Sequence, residues 1–251
     1  MRPMARPAAV VGLLAGLFAA LGAFQARSQD SIECLLEASI EVNLGSPVDG
    51  VIAAMLVERG DEVRKGQPLV RLNDSVEKAT VALARGRAEF ARRKAARNDE
   101  LYDKQLISVQ ERDQLETEAQ IAALELAERE EALRLRTVHS PINGVVADRY
   151  TAPGDQVLRA SAKILRLLQL DPLHVEAVAP ASLLGKIRVG AEAEVTPLGG
   201  AGGQQRARVT VVDRMIDAAS GTFRIRLQMR NPGLRILAGL RCRATFPTRQ
   251  P

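Results

Sequence analysis

The sequence contains no tryptophan, and aromatic residues make up only 3% of its 251 residues. Proteins that bind single-stranded nucleic acid stack the bases on aromatic side chains, and this chain has too few for such a platform. Its formal charge of +5 includes Arg2, Arg6 and Arg27, which lie in a segment that we expect to be removed. Taking three from the 35 basic residues leaves 32 against 30 acidic residues. We therefore expect a mixed, solvated surface and no nucleic-acid partner.

Residue types that carry catalysis or bind metals are also scarce. The two histidines, His139 and His174, fall in predicted strands and have no carboxylate or cysteine companions at ligand spacing. The sequence has no glycine-rich phosphate loop, no Gly-x-Ser-x-Gly and no His-Glu-x-x-His. We therefore expect a protein that is not an enzyme and has neither metal nor cofactor.

Residues 1–28 have the features of an export signal. Arg2 and Arg6 precede an uncharged apolar run over residues 8–24, and Ala26 and Ser28 place small residues before a cleavage point. The alternative is an uncleaved inner-membrane anchor, although this run is short for a bilayer core of about 30 Å. After export, Cys34 and Cys242 could form a disulfide between the first and last strands, or they could remain two buried thiols.

One motif occurs twice in the chain. Residues 46–52, Ser-Pro-Val-Asp-Gly-Val-Ile, return 94 positions later as Ser-Pro-Ile-Asn-Gly-Val-Val at residues 140–146. We interpret Asp49-Gly50 and Asn143-Gly144 as type I′ hairpin turns, and Gly60 and Gly154 as the next reversals. Because neither copy alone has enough apolar surface to bury, the repeat predicts two halves of one β domain, at residues 46–74 and 138–168.

The segment between the halves, residues 75–137, is predicted to be helical. It lacks proline and has one glycine, Gly86. Two capping boxes, Asp74 with Glu77 and Ser108 with Glu111, and a break near residues 103–107 predict two antiparallel helices. At about 29 residues each, they form a hairpin roughly 43 Å long.

Apolar residues at heptad spacing predict a coiled-coil seam between these helices. The second helix supplies a run of residues alternately four and three apart, and the first supplies three residues seven apart. The seam residues are, in turn, Leu115, Ala119, Ala122, Leu126 and Leu133, and Val76, Leu83 and Phe90. The outer surface of such a hairpin must meet solvent, other copies or a partner.

The remaining segments are predicted to be β-rich. An N-terminal strand segment occupies residues 29–45, and residues 169–251 form a β-barrel domain. Within Leu173 to Ala179 the odd positions are predicted to face inward, while Val178 falls on the polar side. Further strands are predicted near residues 193–196, 208–213, 222–229 and 241–246.

The paired Ser-Pro-x-x-Gly and Gly-Asp-x-Val halves resemble a lipoyl domain split by an insertion. The whole arrangement resembles the periplasmic adaptors, or membrane fusion proteins, of tripartite efflux pumps and secretion systems of the HlyD/RND type. An Asp-x-x-x-Gly-Thr element at residues 217–222, an Asn-Pro turn at residues 231–232 and Leu-x-Gly at residues 237–239 resemble the adaptor β-barrel. The resemblance implies an elongated, modular α+β fold with a split lipoyl-like domain, an inserted coiled-coil hairpin and a C-terminal barrel, without a complete membrane-proximal domain.

Arg97, Leu101 and Ser108 fall at the predicted tip, with the Arg-x3-Leu-x6-Ser spacing. They resemble the motif by which adaptors engage TolC-type outer-membrane channels. By that resemblance the leucine packs into a groove of the channel while the arginine and serine form hydrogen bonds to it. The alternatives are that Leu101 belongs to the seam, that Arg97 is solvated and that Ser108 only caps its helix.

The resemblance implies a periplasmic adaptor, associated with the inner membrane, that links an inner-membrane transporter to an outer-membrane channel. It also implies a homo-oligomeric, hexameric ring. The alternative is a periplasmic scaffold that self-associates through its coiled coil and never meets a channel. A lipoylated carrier is disfavoured, because Lys78 falls in a helix and not at an exposed hairpin tip. The sequence leaves open the transported substrate and the class of transporter, RND, ABC or other.

Overall fold

The computed structural model describes residues 31–159, 163–199 and 203–247, so the predicted signal peptide at residues 1–28 lies outside the described chain. The described residues form twelve strands, two long helices and two single turns of 3-10 helix. The strands and helices are β1 (Ser31–Leu44), β2 (Gly50–Met55), β3 (Glu62–Val63), β4 (Pro68–Leu72), α1 (Ser75–Asp103), α2 (Val109–Arg134), β5 (Thr137–His139), β6 (Gly144–Arg149), β7 (Gln156–Val157), β8 (Leu165–Pro180), β9 (Glu192–Pro197), β10 (Gln205–Val212), β11 (Thr222–Met229) and β12 (Arg241–Thr245).

Six strands close into the predicted C-terminal barrel, in the order β1-β12-β9-β10-β11-β8, with β8 pairing back onto β1. Along β8 the side chains of Leu173, Val175, Ala177 and Ala179 are fully buried, whereas Val178 is exposed. The predicted alternation is therefore confirmed. β1 and β8 are long enough to continue into the neighbouring β domain, so one pair of strands joins the two units.

Cys34 and Cys242 face each other on β1 and β12, with their Cα atoms 4.8 Å apart, and form a disulfide. Both residues are buried in the barrel core. The bond therefore crosslinks the first strand of the barrel to the last. Of the two alternatives left by the sequence, the structure contains the disulfide.

The two repeat copies build one lipoyl-like domain by exchanging hydrogen bonds. The Gly60 N–H donates to Val146 O at 2.8 Å, and the equivalent Gly154 N–H donates to Ile52 O at 2.8 Å. In the same way β3 pairs with β6 and β2 pairs with β7. Each half supplies the partner strand for the turn of the other, and neither half has those partners when alone.

Gly60 and Gly154 lie in turns with φ of +96° and +95°, a region that glycine enters without strain. The aspartate after each one secures its turn in the same way. Asp61 Oδ2 accepts from the Glu58 N–H and Asp155 Oδ2 accepts from the Ala152 N–H, both at 2.8 Å. The repeat is thus preserved in the side-chain contacts as well as in the backbone.

The hairpin-turn interpretation of Gly50 and Gly144 is wrong. Both glycines begin strands, β2 and β6, and neither has a positive φ. The side chain of the residue before each glycine instead accepts a hydrogen bond from the other half of the domain. Asp49 Oδ1 accepts from the Arg159 N–H at 2.5 Å, and Asn143 Oδ1 accepts from the equivalent Lys65 N–H at 2.8 Å.

At its base the helical hairpin is fixed to the lipoyl-like domain by Arg136. Its guanidinium pairs with Glu77 Oε1 at 2.6 Å and donates to the Asp49 carbonyl at 2.8 Å. The predicted capping box of α1 is wrong, because Asp74 makes no side-chain cap hydrogen bond and Glu77 is held by Arg136. Lys78 lies in α1 and pairs with Asp74 at 3.0 Å.

The helices pack antiparallel, and the predicted seam is correct on α2 only. Leu115 is buried, and Ala119, Ala122, Leu126 and Leu133 are half-buried. On α1, however, Val76, Leu83 and Phe90 are all exposed, and the side chains that face α2 are mainly alanines at positions 84, 88, 91 and 95, with Val81. The phase predicted for α1 is therefore wrong. Neither described helix combines the length and apolarity needed to cross a membrane.

Candidate functional site

The tip of the hairpin is a tight reversal between α1 and α2. The Leu106 N–H donates to the Leu101 carbonyl at 2.9 Å, and Gln105 takes up a left-handed conformation with φ of +61°. α2 then begins after Ser108, whose Oγ accepts from the Glu111 N–H at 3.1 Å. The predicted N-cap of α2 is therefore confirmed.

Arg112 connects the two helices just behind this turn. Its guanidinium lies over the Tyr102 ring, 4.4 Å from the ring centroid, so it contributes a cation–π contact across the hairpin. It also lies 3.0 Å from Asp113 Oδ1 and 3.8 Å from Glu116 Oε1. The hydrogen bond with Asp113 raises the pKa of Arg112, so this group stays charged. These contacts tie α2 to the last turn of α1 at the tip.

The structure places all three predicted contact residues in this region. Arg97 and Leu101 lie one turn apart on α1, and Ser108 lies across the reversal. Leu101 is 36% exposed and does not belong to the buried seam. Arg97 is exposed and makes no ion pair with any described residue. Ser108 is also exposed, although its hydroxyl oxygen serves as the cap.

Sequence reasoning missed two further apolar residues at the tip, Leu106 and Val109. Leu106 is 67% exposed in the turn itself, and Val109 is exposed at the first position of α2. With Leu101 they give the tip three exposed aliphatic side chains. The signal was available, because a turn between two helices normally carries polar residues. A cluster of exposed apolar residues at one end of a hairpin is typical of an interaction site.

Replacing Ser108 tests its structural role separately. We expect Ser108→Ala to lower the stability of the hairpin by about 1 kcal/mol, because it removes the acceptor for the Glu111 N–H. Ser108→Asp keeps an acceptor and is expected to retain the stability. Thermal unfolding followed by circular dichroism compares the two. Equal losses in both variants would show that the hydroxyl does not act as a cap.

Other candidate chemistry is limited within the described residues. They contain no group of three His, Cys, Asp or Glu side chains that could hold a metal ion. His174, on β8, lies beside charged neighbours, and burial together with Arg226 lowers its pKa below the ordinary value. At neutral pH it is therefore an uncharged strand residue, and the hairpin tip remains the main candidate site.

Comparisons with known families match most of the described chain. Residues 40–169 match the family described as RND MFP, barrel-sandwich hybrid domain. Residues 172–250 match the family described as CusB-like, beta-barrel domain. The first match covers the lipoyl-like domain together with the helical hairpin, and the second covers the barrel from residue 172 onward, without the barrel part of β1.

The chain is also similar to named proteins of efflux pumps. It is 26% identical over 207 residues to the antibiotic efflux pump periplasmic linker protein ArpA of Pseudomonas putida, covering 77% of this chain and 56% of that one. It is 26% identical over 211 residues to the multidrug resistance protein MexA of Pseudomonas aeruginosa, covering 77% and 54%. The chain thus spans about half the length of these relatives.

Solved structures show the same fold. A MacA–MexA chimera that contains the Pseudomonas aeruginosa MexA α-hairpin domain superposes with a TM-score of 0.73 at 19% identity, covering 86% of this chain and 80% of the chimera. The membrane fusion protein Spr0693 of Streptococcus pneumoniae gives 0.67 at 16% identity, covering 88% and 99%. These likenesses support the α+β arrangement of hairpin, lipoyl-like domain and barrel.

Proposed function

Because the chain belongs to the RND-type membrane fusion protein family, we propose that it is a periplasmic adaptor that links an inner-membrane transporter to a TolC-type outer-membrane channel. The family is not enzymatic, and several similar proteins are named as periplasmic linkers of efflux pumps. The observation that carries the proposal is the hairpin tip, where three exposed aliphatic side chains stand at the far end of two long helices.

The tip supports helix-in-groove docking. Leu101, Leu106 and Val109 offer apolar surface to a groove between two helices of the channel, and fully burying one such side chain contributes about 1.5–3 kcal/mol. Arg97 makes no hydrogen bond or ion pair with another described residue, and in this proposal it donates hydrogen bonds to the rim of that groove. The hydroxyl hydrogen of Ser108 is free to donate as well, because its oxygen already accepts as the cap.

We propose that several tips act together on the channel. We propose that the adaptor works as a homo-oligomeric, hexameric ring in the periplasm, beside the inner membrane. Linking several weak contacts raises the overall affinity without any new kind of contact. In this arrangement the β domains face the transporter, and the hairpins form the wall of a conduit that reaches the channel.

Crosslinking in cells tests the docking. With cysteine introduced in turn at Arg97, Leu101 and Ser108, a maleimide that carries a photoreactive benzophenone alkylates the new thiol, and illumination is expected to join it to the outer-membrane channel. Ala79→Cys is the matched control, because it is exposed on the same helix but lies about 33 Å from Leu101. No channel adduct at any of the three tip positions would contradict docking and favour the self-associating scaffold.

A further inference from the structure

The end of the barrel that lies farthest from the lipoyl-like domain is covered by two loops. β8 starts beside β6 of the lipoyl-like domain and runs to this end, where residues 181–191 leave it and cross past β11 and β10 to reach β9. Residues 213–221 join β10 to β11 at the same end. The Ala181 N–H donates to Gly221 O at 3.0 Å, so the two segments are in contact. We call these two segments the distal loops.

Four aliphatic side chains of the distal loops are exposed. In the first loop Leu183 and Ile187 are buried in the barrel core, so they fix this loop to the barrel. The exposed side chains have no such role, because they remain in water and gain none of the free energy that burial gives to an apolar group. They are Leu184, Val189, Met215 and Ile216. A cluster of this kind is typical of a surface that contacts something outside the chain.

The uncompensated charge on the distal loops is positive. Three basic side chains are exposed and make no hydrogen bond or ion pair with another described residue: Lys186, Arg188 and Arg214. The acidic side chains of the loops are engaged, since Asp213 pairs with Arg224 at 3.5 Å and Asp217 Oδ1 accepts from a backbone N–H of its own turn at 2.8 Å. The barrel as a whole, residues 31–38 and 172–247, has eleven basic against seven acidic residues. The distal loops therefore favour an anionic partner.

The N-terminal strand also begins at this end of the barrel. Ser31 pairs with Thr245 of β12, which in turn pairs with Glu194 near the start of β9. The apolar run at residues 8–24, predicted to be an export signal or an anchor, ends seven residues before Ser31. Chain of that length spans at most about 25 Å. The distal loops thus stand at the end of the barrel that a retained anchor would hold at the membrane.

We propose that the distal loops dock on the anionic phospholipid surface of the inner membrane. Their four exposed aliphatic side chains enter the interface below the headgroups, and their three basic side chains lie among the lipid phosphates. Attachment of this kind grows with the buried apolar area and with the attraction of basic side chains to anionic lipids. A second copy of the chain is a poor occupant, because the same positive loops would face each other. This inference rests on the proposed location beside the inner membrane and adds a contact with the lipid itself.

Fluorescence quenching at single labelled positions tests the docking. Both native cysteines are joined in the buried disulfide, so a thiol-reactive dye labels only an introduced thiol. Val189→Cys and Met215→Cys each place the dye in a distal loop. Leu237→Cys is the matched control, because Leu237 is 62% exposed against 65% for Val189. It lies in the loop between β11 and β12 at the other end of the barrel, roughly 23 Å away along β8.

The labelled chain is purified from cells, so that it carries the N-terminus that the cell leaves on it, and is mixed with vesicles. The vesicle lipids carry a nitroxide quencher on their acyl chains. With about one-third phosphatidylglycerol in phosphatidylcholine, we expect at least threefold more quenching at residues 189 and 215 than at residue 237. In phosphatidylcholine alone, quenching at the distal loops is expected to fall to the level at residue 237, because the anionic lipid is missing.

A charge variant tests the part played by the basic side chains. Lys186→Gln/Arg188→Gln/Arg214→Gln, made in the Met215→Cys chain, is expected to lose the extra quenching on the phosphatidylglycerol vesicles. Arg87→Gln/Arg92→Gln/Arg129→Gln is the matched control, since it removes three exposed charges from the helical hairpin and gives the same net charge. It is expected to keep the quenching. Both variants replace exposed side chains, so circular dichroism is expected to show the same helicity as the wild type.

The outcomes separate this inference from the adaptor role. Equal quenching at all three labelled positions, no quenching at the distal loops, or full quenching in the distal charge variant each overturn the lipid contact. Quenching that requires a transporter in the vesicles also overturns it and assigns the distal loops to a protein. A channel adduct at Leu101→Cys without distal-loop quenching leaves the adaptor role standing and removes only the lipid contact. Quenching without any channel adduct keeps the lipid contact and contradicts channel docking.

Discussion

Replacing both Cys34 and Cys242 by alanine is expected to lower the free energy of unfolding of the barrel by about 2–5 kcal/mol. The disulfide joins strands that are 208 residues apart in sequence, so it restricts a very large loop in the unfolded chain. In the folded chain it lies where β1 meets β12, the pairing that brings the C-terminal strand into the barrel. Without the bond, that pairing depends on backbone hydrogen bonds and the packing of a short strand.

Hydrogen exchange reports this effect strand by strand, because amides in different parts of a protein exchange through different local openings. We expect the amides of β12 and β9 to lose protection in the Cys34→Ala/Cys242→Ala variant, while those of β4 and β5 in the lipoyl-like domain keep theirs. The wild-type chain refolded under reducing conditions is the control and is expected to behave like the variant, since a buried thiol packs as a small apolar group. Unchanged protection in β12 would mean that the barrel closes without the bond.

The sequence was sufficient to predict an element wherever a local pattern is compatible with only one structure. The change from period two to a helical pattern located the hairpin, and Ser108 with Glu111 located the start of α2. Along β8 the apolar residues at odd positions also predicted the inner face of the barrel. In these cases the side chain and its neighbours in sequence decide the structure, so no distant contact was needed to interpret them.

The sequence-based prediction was wrong where a periodic pattern identified one face of a helix but not the surface that covers that face. Val76, Leu83 and Phe90 are periodic, and we placed them in the seam because large apolar residues usually fill it. The structure puts small alanines of α1 against α2 and leaves the larger side chains outside. Periodicity shows that three residues share a face, and only packing shows which surface covers that face.

Gly50 and Gly144 are a second case in which the local sequence does not decide the structure. Asp-Gly and Asn-Gly are strong turn signals, yet at these two positions long-range contacts decide the conformation. A Cβ on Gly144 would lie 2.2 Å from the Leu168 carbonyl oxygen, so β6 approaches β8 where only a glycine fits. At Gly50 a Cβ would meet the end of the Arg136 side chain at 2.9 Å and Leu72 Cδ1 at 3.3 Å. Equivalent repeat positions thus need glycine to different degrees.

We therefore expect Gly144→Ala to destabilise the lipoyl-like domain by about 3 kcal/mol, the upper part of the usual range for overpacking, because a backbone carbonyl cannot move without separating two strands. Gly50→Ala is the matched control and is expected to stay within about 1 kcal/mol of the wild type. There Arg136 can shift, and alanine is favoured over glycine in a strand by about 0.5–1 kcal/mol.

Denaturant unfolding of the two single variants measures the difference, and hydrogen exchange on β6 assigns it to the right domain. If both glycines were instead needed for type I′ turns, each would have a positive φ that disfavours alanine. Both substitutions would then lower the stability of the domain. Equal losses at Gly50 and Gly144 would therefore restore the turn interpretation. A loss confined to Gly144 shows that the glycine is kept for the close approach of β6 to β8, the strand that the lipoyl-like domain shares with the barrel.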